Sequence, residues 1–497
     1  MSPILLLVAA IVALIFVLSL IDFLQTGNTI RRNFPFIGRF RFIFEDLGPF
    51  MRQYFVNADT EGRPFDRIVR HWVYEAAEQG NTNIGFGTER DKDAIGALGL
   101  LPSAYPYVAA GEVGVGHGTD MEDGPSSCDI VLGPDRKHPY TVRSWVNISA
   151  MSYGSLSKAA IRSLSHGAAQ AGCYLNTGEG GVSPHHLEGG CDLVFQIGTG
   201  KFGVRDEDGN FDPAKFERWC AHPNVKAIEL KISQGAKPGK GGILPAAKVS
   251  EEIAAIRGVK PHRSVHSPPR HPEAPDAASL LRFVAYLQDL GGLPVGIKMA
   301  MGPDAEVEAL VAKMVELGLH PDWITVDGAE GGTGAAPPSF TDYMGVPLYE
   351  AIPVVEDALL RHGLRDKVRI IASGKLIMGA PAAIACALGA DLINNARGFM
   401  LALGCIQALK CHTNGCPTGI ATQNAYLQRG IVPEAKAERV AHYAHTFEKD
   451  LLSCTHAVGI ARPDRLRRHH AAMVVAPGRK DPLDQLYPYP EGMAVAE

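Results

Sequence analysis

Residues 294–328 read PVGIKMAMGPDAEVEALVAKMVELGLHPDWITVDG. A short apolar run, an amphipathic stretch and a second β-branched run follow one another with little between them, which predicts a strand, a helix and a second, parallel strand. The same alternation extends to both sides. WVNISA (145–150), YLNTG (174–178), LVFQIG (193–198) and AIELKIS (227–233) precede it, and RIIASG (369–374) and LINNAR (392–397) follow. Amphipathic segments such as SKAAIRSLSHGAAQAG (157–172) and PDAASLLRFVAYLQDL (275–290) lie between several of these runs. Eight strand candidates with helical connections predict an α/β fold, a parallel (β/α)8 TIM barrel. A doubly wound open sheet is the alternative, weakened because no GxGxxG follows the first strand.

The chain has 497 residues, 46% hydrophobic and 20% charged, as expected of a protein with a sizeable core. A net charge of −5 gives no basic surplus, so no nucleic-acid partner is expected. Pro3–Phe23 is almost uninterruptedly apolar and long enough to cross a hydrocarbon core of about 30 Å. It lacks a basic n-region and a clear cleavage site, so the expectation is an uncleaved single-pass anchor in the cell membrane. Arg31, Arg32, Arg39 and Arg41 follow at once, which predicts a catalytic body in the cytoplasm. The aromatic and basic stretch after residue 25 suits either the headgroup zone or a helical lead-in packed on the main domain. Between Asn57 and Tyr107 no motif carries chemistry. The expected organisation is an anchor over 1–24, a membrane-proximal region over 25–140, the barrel over 141–425, and a C-terminal extension over 426–497, helical at first and then irregular.

Barrel enzymes place reactive groups where strands finish. Glu229, Lys231 and Ser233 share one side of their strand, Lys298 stands near the end of the next, and Asp327 near the end of WITVDG. A buried lysine is costly unless an anion or a polar ligand meets it. Any one of these could be a structural ion pair; several on one rim favour a ligand site. Glycine turns follow the last three strand candidates: Gly331-Gly332-Thr333-Gly334, Ser373-Gly374-Lys375 and Ala396-Arg397-Gly398. Turns after strands seven and eight are where barrels hold a phosphate, and Lys375 and Arg397 add charge, which points to a phosphorylated cofactor.

Of nine cysteines, six are scattered and read as small buried residues. Cys405, Cys411 and Cys416, in GCIQALKCHTNGCPTG, are spaced C-x5-C-x4-C. The spacing leaves three readings open: an iron–sulfur cluster, zinc with His412 or another fourth ligand, and coincidence.

Five motifs, in this order, resemble the FMN-binding domain of glutamate synthase over roughly residues 140–425. They are MSYGSLSKAA from Met151, NTGEGG from Asn176, KISQGAKPGKGG from Lys231, EGGTGAAP from Glu330 and LGCIQALKCHTNGCPTGIATQ from Leu403. The resemblance implies a (β/α)8 barrel carrying FMN and a 3Fe–4S cluster, with Cys405, Cys411 and Cys416 as cluster ligands. It implies Met151, Ser152 and Tyr153 against the flavin, and Glu179, Lys231, Gln234 and Lys237 facing the flavin and a pocket for 2-oxoglutarate or 2-iminoglutarate. Glu179, Lys231 and Lys237 are then catalytic candidates, and Gln234, Lys237 and Arg257 substrate-binding candidates. Gln234, Lys298, Gly332, Thr333, Gly374, Lys375, Arg397 and Gly398 complete the expected flavin site.

This chain departs from the family pattern in several places. A hydrophobic segment stands where those enzymes carry a glutaminase domain, Ile243 replaces a substrate-binding glutamine, and SGKLIMG replaces DGGLKTG. The expectation is a stand-alone synthase-type oxidoreductase acting on CH–NH2 groups, converting 2-oxoglutarate to glutamate. Its electrons would come from an external donor such as ferredoxin or another reductase, and its ammonia from solution or a partner amidotransferase. Two alternatives remain: a membrane-coupled FMN/iron–sulfur oxidoreductase for another small acid or amine, and a non-catalytic electron-transfer or assembly protein.

Overall fold

The computed structural model describes residues 2–108 and 128–493. Part of the expected 25–140 region therefore lies outside the described residues. The chain divides into two compact units, Met1–Ile68 and Val69–Glu497.

In the first unit, helix α1 (Pro3–Leu24) opens with Pro at its first position, where a missing N–H costs nothing. It is the one helix among the described residues long and apolar enough to cross a membrane, and its apolar window is entirely unburied. Asp22 near its end is fully buried. Its carboxylate accepts from Arg31 Nε at 2.8 Å, Arg39 Nε at 2.6 Å and the Phe36 amide at 3.1 Å. These bonds fix the start of helix α2 (Gly38–Met51) against the end of α1. Ile37, Phe40, Phe44, Leu47 and Met51 recur every three or four residues at the start and along the length of α2, and all are exposed.

In the second unit, all eight strand candidates form strands of one closed parallel barrel. They are β1 (Val146–Ile148), β2 (Leu175–Asn176), β3 (Leu193–Ile197), β4 (Val225–Lys231), β5 (Val295–Met299), β6 (Trp323–Asp327), β7 (Arg369–Ser373) and β8 (Leu392–Asn395). The ring closes where β8 pairs with β1, Ile393 opposite Val146 and Asn395 opposite Ile148. Apolar residues fill most of the barrel, but its centre holds Glu229, 1% exposed. That carboxylate accepts from Asn176 Nδ2 (2.8 Å), Gln196 Nε2 (2.7 Å) and Thr325 Oγ1 (2.6 Å), so four strands are cross-linked by one buried anion. Helix α3 (Lys158–Ala171) is capped by Ser157 and stopped by Gly172 in the left-handed region. It packs against the long helix α4 (Pro433–Ala457). Gly167 permits this approach, since a Cβ there would lie 2.5 Å from the Val440 side chain.

The tail is more regular than expected. Ala471–Ala476 and Arg479–Pro482 are strands, and Leu98–Leu100 joins them in a three-stranded antiparallel sheet. A strand of three residues whose partner lies more than 370 positions away has no local signal long enough to read.

Glu448 of α4 accepts from the Trp145 amide at 3.0 Å, at the threshold of β1. Burial pushes its carboxyl up from 4.5 to about 7, with the Trp145 and Ser144 hydrogen bonds opposing the rise. The raised value means that the folded state holds the proton more tightly than the unfolded chain does. The stability it contributes is fully present below about pH 4.5 and lost as pH rises through about 7. Glu448→Gln, neutral throughout, should gain stability relative to the parent between pH 4.5 and 8, read as the difference in apparent melting temperature.

Candidate active site

The C-terminal ends of β2 and β4 bring Glu179 and Lys231 face to face. Lys231 is the last residue of β4, and its Nζ lies 3.0 Å from Glu179 Oε2 and 2.5 Å from Gln234 Oε1. Lys237 is buried in the loop beyond and donates to the Ala335 carbonyl at 3.3 Å. Arg257, also buried, donates from Nη2 to the Tyr153 carbonyl at 3.0 Å, while its Nε has no hydrogen-bond partner. Its guanidinium lies over the Phe202 ring, 5.1 Å from the centroid.

Three cations thus act on one carboxylate. Burial alone would raise the Glu179 pKa, but Lys231, Lys237 and Arg257 outweigh it and hold the group down at about 2. Burial lowers the proton affinity of Lys237 and brings Arg257 to about 10, with Glu179 opposing both shifts. Two small clefts meet at Glu179 and Gly242. One is walled by Phe202, Ile243, Leu244 and Val265 beside Arg257, the other by Lys231, Gln234 and Lys240. A Cβ at Gly242 would sit 2.5 Å from Glu179 Oε1, so a larger residue there would have to push that carboxylate aside. The Pro/His-rich loop covers the site. Val265–His266 pairs with Ile243–Leu244, Thr199 donates to the Pro268 carbonyl at 2.6 Å, and His271 Nε2 lies 2.9 Å from the Lys231 carbonyl.

Of the expected flavin neighbours, Met151 and Tyr153 are buried and Ser152 lines the first cleft. His186 Nε2 lies 2.9 Å from the Met151 carbonyl. The Tyr153 hydroxyl donates to Glu252 at 2.6 Å, and His185 lies 2.9 Å from the other oxygen of that carboxylate. Lys298 already has an anion, with Asp327 Oδ1 at 3.3 Å. The glycine turns after β6, β7 and β8 converge. Arg397 crosses directly over Gly332, where a Cβ would lie 2.7 Å from its Cδ, and donates to the Glu330 carbonyl at 2.6 Å. Thr333 and Lys375 are exposed beside it, Gly374 and Gly398 buried. Burial brings Arg397 down to about 10, Asp327 and Glu330 opposing. A guanidinium so placed, among glycine turns, fits a phosphate group.

Cys405, Cys411 and Cys416 share one loop after β8, and each thiol acts electrostatically on another. Gln407, Leu409 and Asn414 in this loop hold positive φ of 55–60° without being glycine, a strained backbone that the fold imposes. Burial would raise Cys416, but the Thr418 hydroxyl and the amides of Ala421, Thr418 and Ile420 outweigh it and lower its pKa, as suits a thiolate. Cys405 is pushed up to about 12 by burial. Among the described residues no three His, Cys, Asp or Glu side chains are close enough to share one metal ion, and His412 is exposed. Three cysteine thiols on one loop, within electrostatic reach of one another, are the donor chemistry that an iron–sulfur cluster takes, so the donor set fits one. Tyr74 donates to the Cys405 carbonyl at 2.7 Å and buried Arg70 lies near its thiol, although their stretch showed no motif.

A family model of the conserved region in glutamate synthase matches residues 124–461. The chain belongs to the glutamate synthase family. The family's members are oxidoreductases acting on CH–NH2 groups that typically use FMN and iron–sulfur centres. The chain is 40% identical over 474 residues to the glutamate synthase large subunit-like protein YerD of Bacillus subtilis, covering 90% of each. It is 34% identical to the archaeal-type glutamate synthase (NADPH) of Thermotoga neapolitana and 35% to the archaeal glutamate synthase (NADPH) of Methanocaldococcus jannaschii. Those matches cover 66% and 65% of this chain but only 62% and 60% of the two relatives.

Within this glutamate synthase-type barrel the depressed Glu179 carboxyl has a consequence for stability. Its contribution is fully present above about pH 4.5 and is lost as pH falls toward about 2. Glu179→Gln should be less stable than the parent at pH 7, with the difference shrinking along the acid limb, measured by denaturant midpoints.

Proposed function

We propose that the chain reductively aminates 2-oxoglutarate, by way of 2-iminoglutarate, to glutamate. The observation that carries this reading is the group of Lys231, Lys237 and Arg257 around one carboxylate in a cleft at the strand ends. Bound FMN would supply hydride chemistry and a 3Fe–4S cluster one-electron chemistry. Met151–Tyr153, Lys298 and the turns at Gly332, Thr333, Gly374, Lys375, Arg397 and Gly398 would hold the flavin, and Cys405, Cys411 and Cys416 the cluster.

Arg257, whose Nε is unpaired, and Lys237 would hold the substrate carboxylates, with Gln234 beside them. Glu179, held ionised, has no proton to give near neutral pH. Lys237, its proton affinity lowered by burial, is the better donor to a developing amine. Lys231 is pinned between Glu179 and Gln234 and keeps that carboxylate in place. Electrons then come from an external donor and ammonia from solution or a partner protein.

A charge-assisted hydrogen bond to a carboxylate is worth roughly 1.5–3 kcal/mol. Lys237→Ala should therefore slow the anaerobic reoxidation of reduced enzyme by 2-oxoglutarate plus ammonia about ten- to a hundred-fold, without loss of FMN. No dependence of reoxidation on any 2-oxo acid, in parent or variant, would defeat the glutamate-forming reading. Ile243, 41% exposed on the apolar wall, favours a second reading, an oxidoreductase for another small acid or amine. A gain in 2-oxoglutarate activity for Ile243→Gln would support that reading.

We further propose that α1 anchors the chain in the membrane, with the body cytoplasmic and the exposed apolar stripe of α2 at the headgroup boundary. The clamp of Arg31 and Arg39 on Asp22 supports this, since it holds α2 against the end of α1. The full-length protein should remain in the membrane pellet through alkaline carbonate washing with its N-terminal segment intact. Release into the supernatant, or a mature chain lacking residues 1–24, would refute the anchor.

A further inference from the structure

Lys248 lies outside every motif that carried chemistry in the sequence, and its surroundings are unusual for an ammonium group. It is 3% exposed, and its Nζ donates to three backbone carbonyls: Ser155 at 3.0 Å, Cys411 at 2.9 Å and Ala421 at 2.9 Å. Ser155 belongs to the loop after β1, beside the expected flavin neighbours; Cys411 and Ala421 belong to the cysteine loop after β8. Gln423 makes a parallel tie with a neutral amide, from Nε2 to the carbonyls of Gly154 (3.1 Å) and Leu156 (2.8 Å). Joining the loops therefore does not require a charge.

Carbonyls disperse a positive charge without neutralising it, and a buried charge is ordinarily paired. Among the described residues no carboxylate forms an ion pair with Lys248, and the ionisable groups that act on it are the thiols of Cys411 and Cys416. Those two thiols belong to the set of three that would hold an anionic cluster.

We propose that Lys248 is the fixed counter-charge of the iron–sulfur cluster and raises its reduction potential. The inference rests on the cluster reading above. Reduction adds negative charge to the cluster, so a buried cation nearby stabilises the reduced form more than the oxidised one. Because the ammonium is held by backbone carbonyls of both loops, its distance from the thiols is set by the fold and not by a flexible side chain alone.

The test compares Lys248→Gln, which can still donate hydrogen bonds, with Lys248→Arg, which keeps the charge. The full-length protein is reconstituted anaerobically with iron and sulfide, and iron, sulfide and FMN per chain are measured first. A parent protein that takes up FMN but no iron defeats the cluster reading and this inference with it. Given a loaded parent, the midpoint potential is read by redox titration followed by electron paramagnetic resonance. Lys248→Gln should shift it negative by about 59 mV, a tenfold change for one electron, while Lys248→Arg stays near the parent. Loss of iron from Lys248→Gln but not from Lys248→Arg, with FMN retained in both, also supports the proposal. An unchanged midpoint in Lys248→Gln overturns it and leaves the cluster reading standing. Loss of iron from both variants with FMN retained overturns it too, because shape and not charge would then be what the site requires.

Discussion

The pairing of Leu392–Asn395 with Val146–Ile148 closes the barrel, and everything at its C-terminal rim depends on that closure. An open sheet would leave the loops after the first and last strands at opposite edges. In the closed ring they adjoin, so Lys248 can reach carbonyls on both at about 3 Å. Closure also turns Glu229 into an interior anion shared by Asn176, Gln196 and Thr325 from three other strands. Such a network gives specificity of register: a one-residue slip of any of these strands would turn its polar partner away from the centre.

The rim is governed by a surplus of buried positive charge. Glu179 is ionised because Lys231, Lys237 and Arg257 overcome its burial, and those cations are in turn only partly neutralised by one carboxylate. Elsewhere on the rim Asp327 and Glu330 act on Arg397, and Lys298 is paired with Asp327. A barrel mouth where three buried cations share one carboxylate favours anionic ligands, whether a phosphate or a dicarboxylate. This is a property of the assembled rim, since each lysine or arginine taken alone would be a costly defect.

One departure from the family pattern bears on the same mouth. Ile243 pairs its backbone with the Pro/His-rich loop through Val265–His266, so the apolar side chain and the cover over the cleft belong to one hairpin. Helix α1, by contrast, belongs to the Met1–Ile68 unit and makes its own arrangement around the buried Asp22 carboxylate.

The barrel was legible because its information is local. WVNISA through LINNAR carry β-branched and apolar runs of strand length, and the stretches between them carry helical periodicity, so each element could be assigned without its partners. The glycine turns and the three cysteines were legible for the same reason, as short spacings along the chain. What tertiary structure alone decided is which charges meet. Lys298 read as either a structural ion pair or a ligand-facing lysine, and the fold supplies Asp327 as a partner; Lys248, Arg70 and Tyr74 carried no signal and stand against the cysteine loop. Leu98–Leu100 finds its strand partner only at Ala471–Met473. Periodicity and spacing encode the conformation of neighbours in sequence, whereas an ion pair or a short β-ladder is set by distances that exist only once the ring has closed.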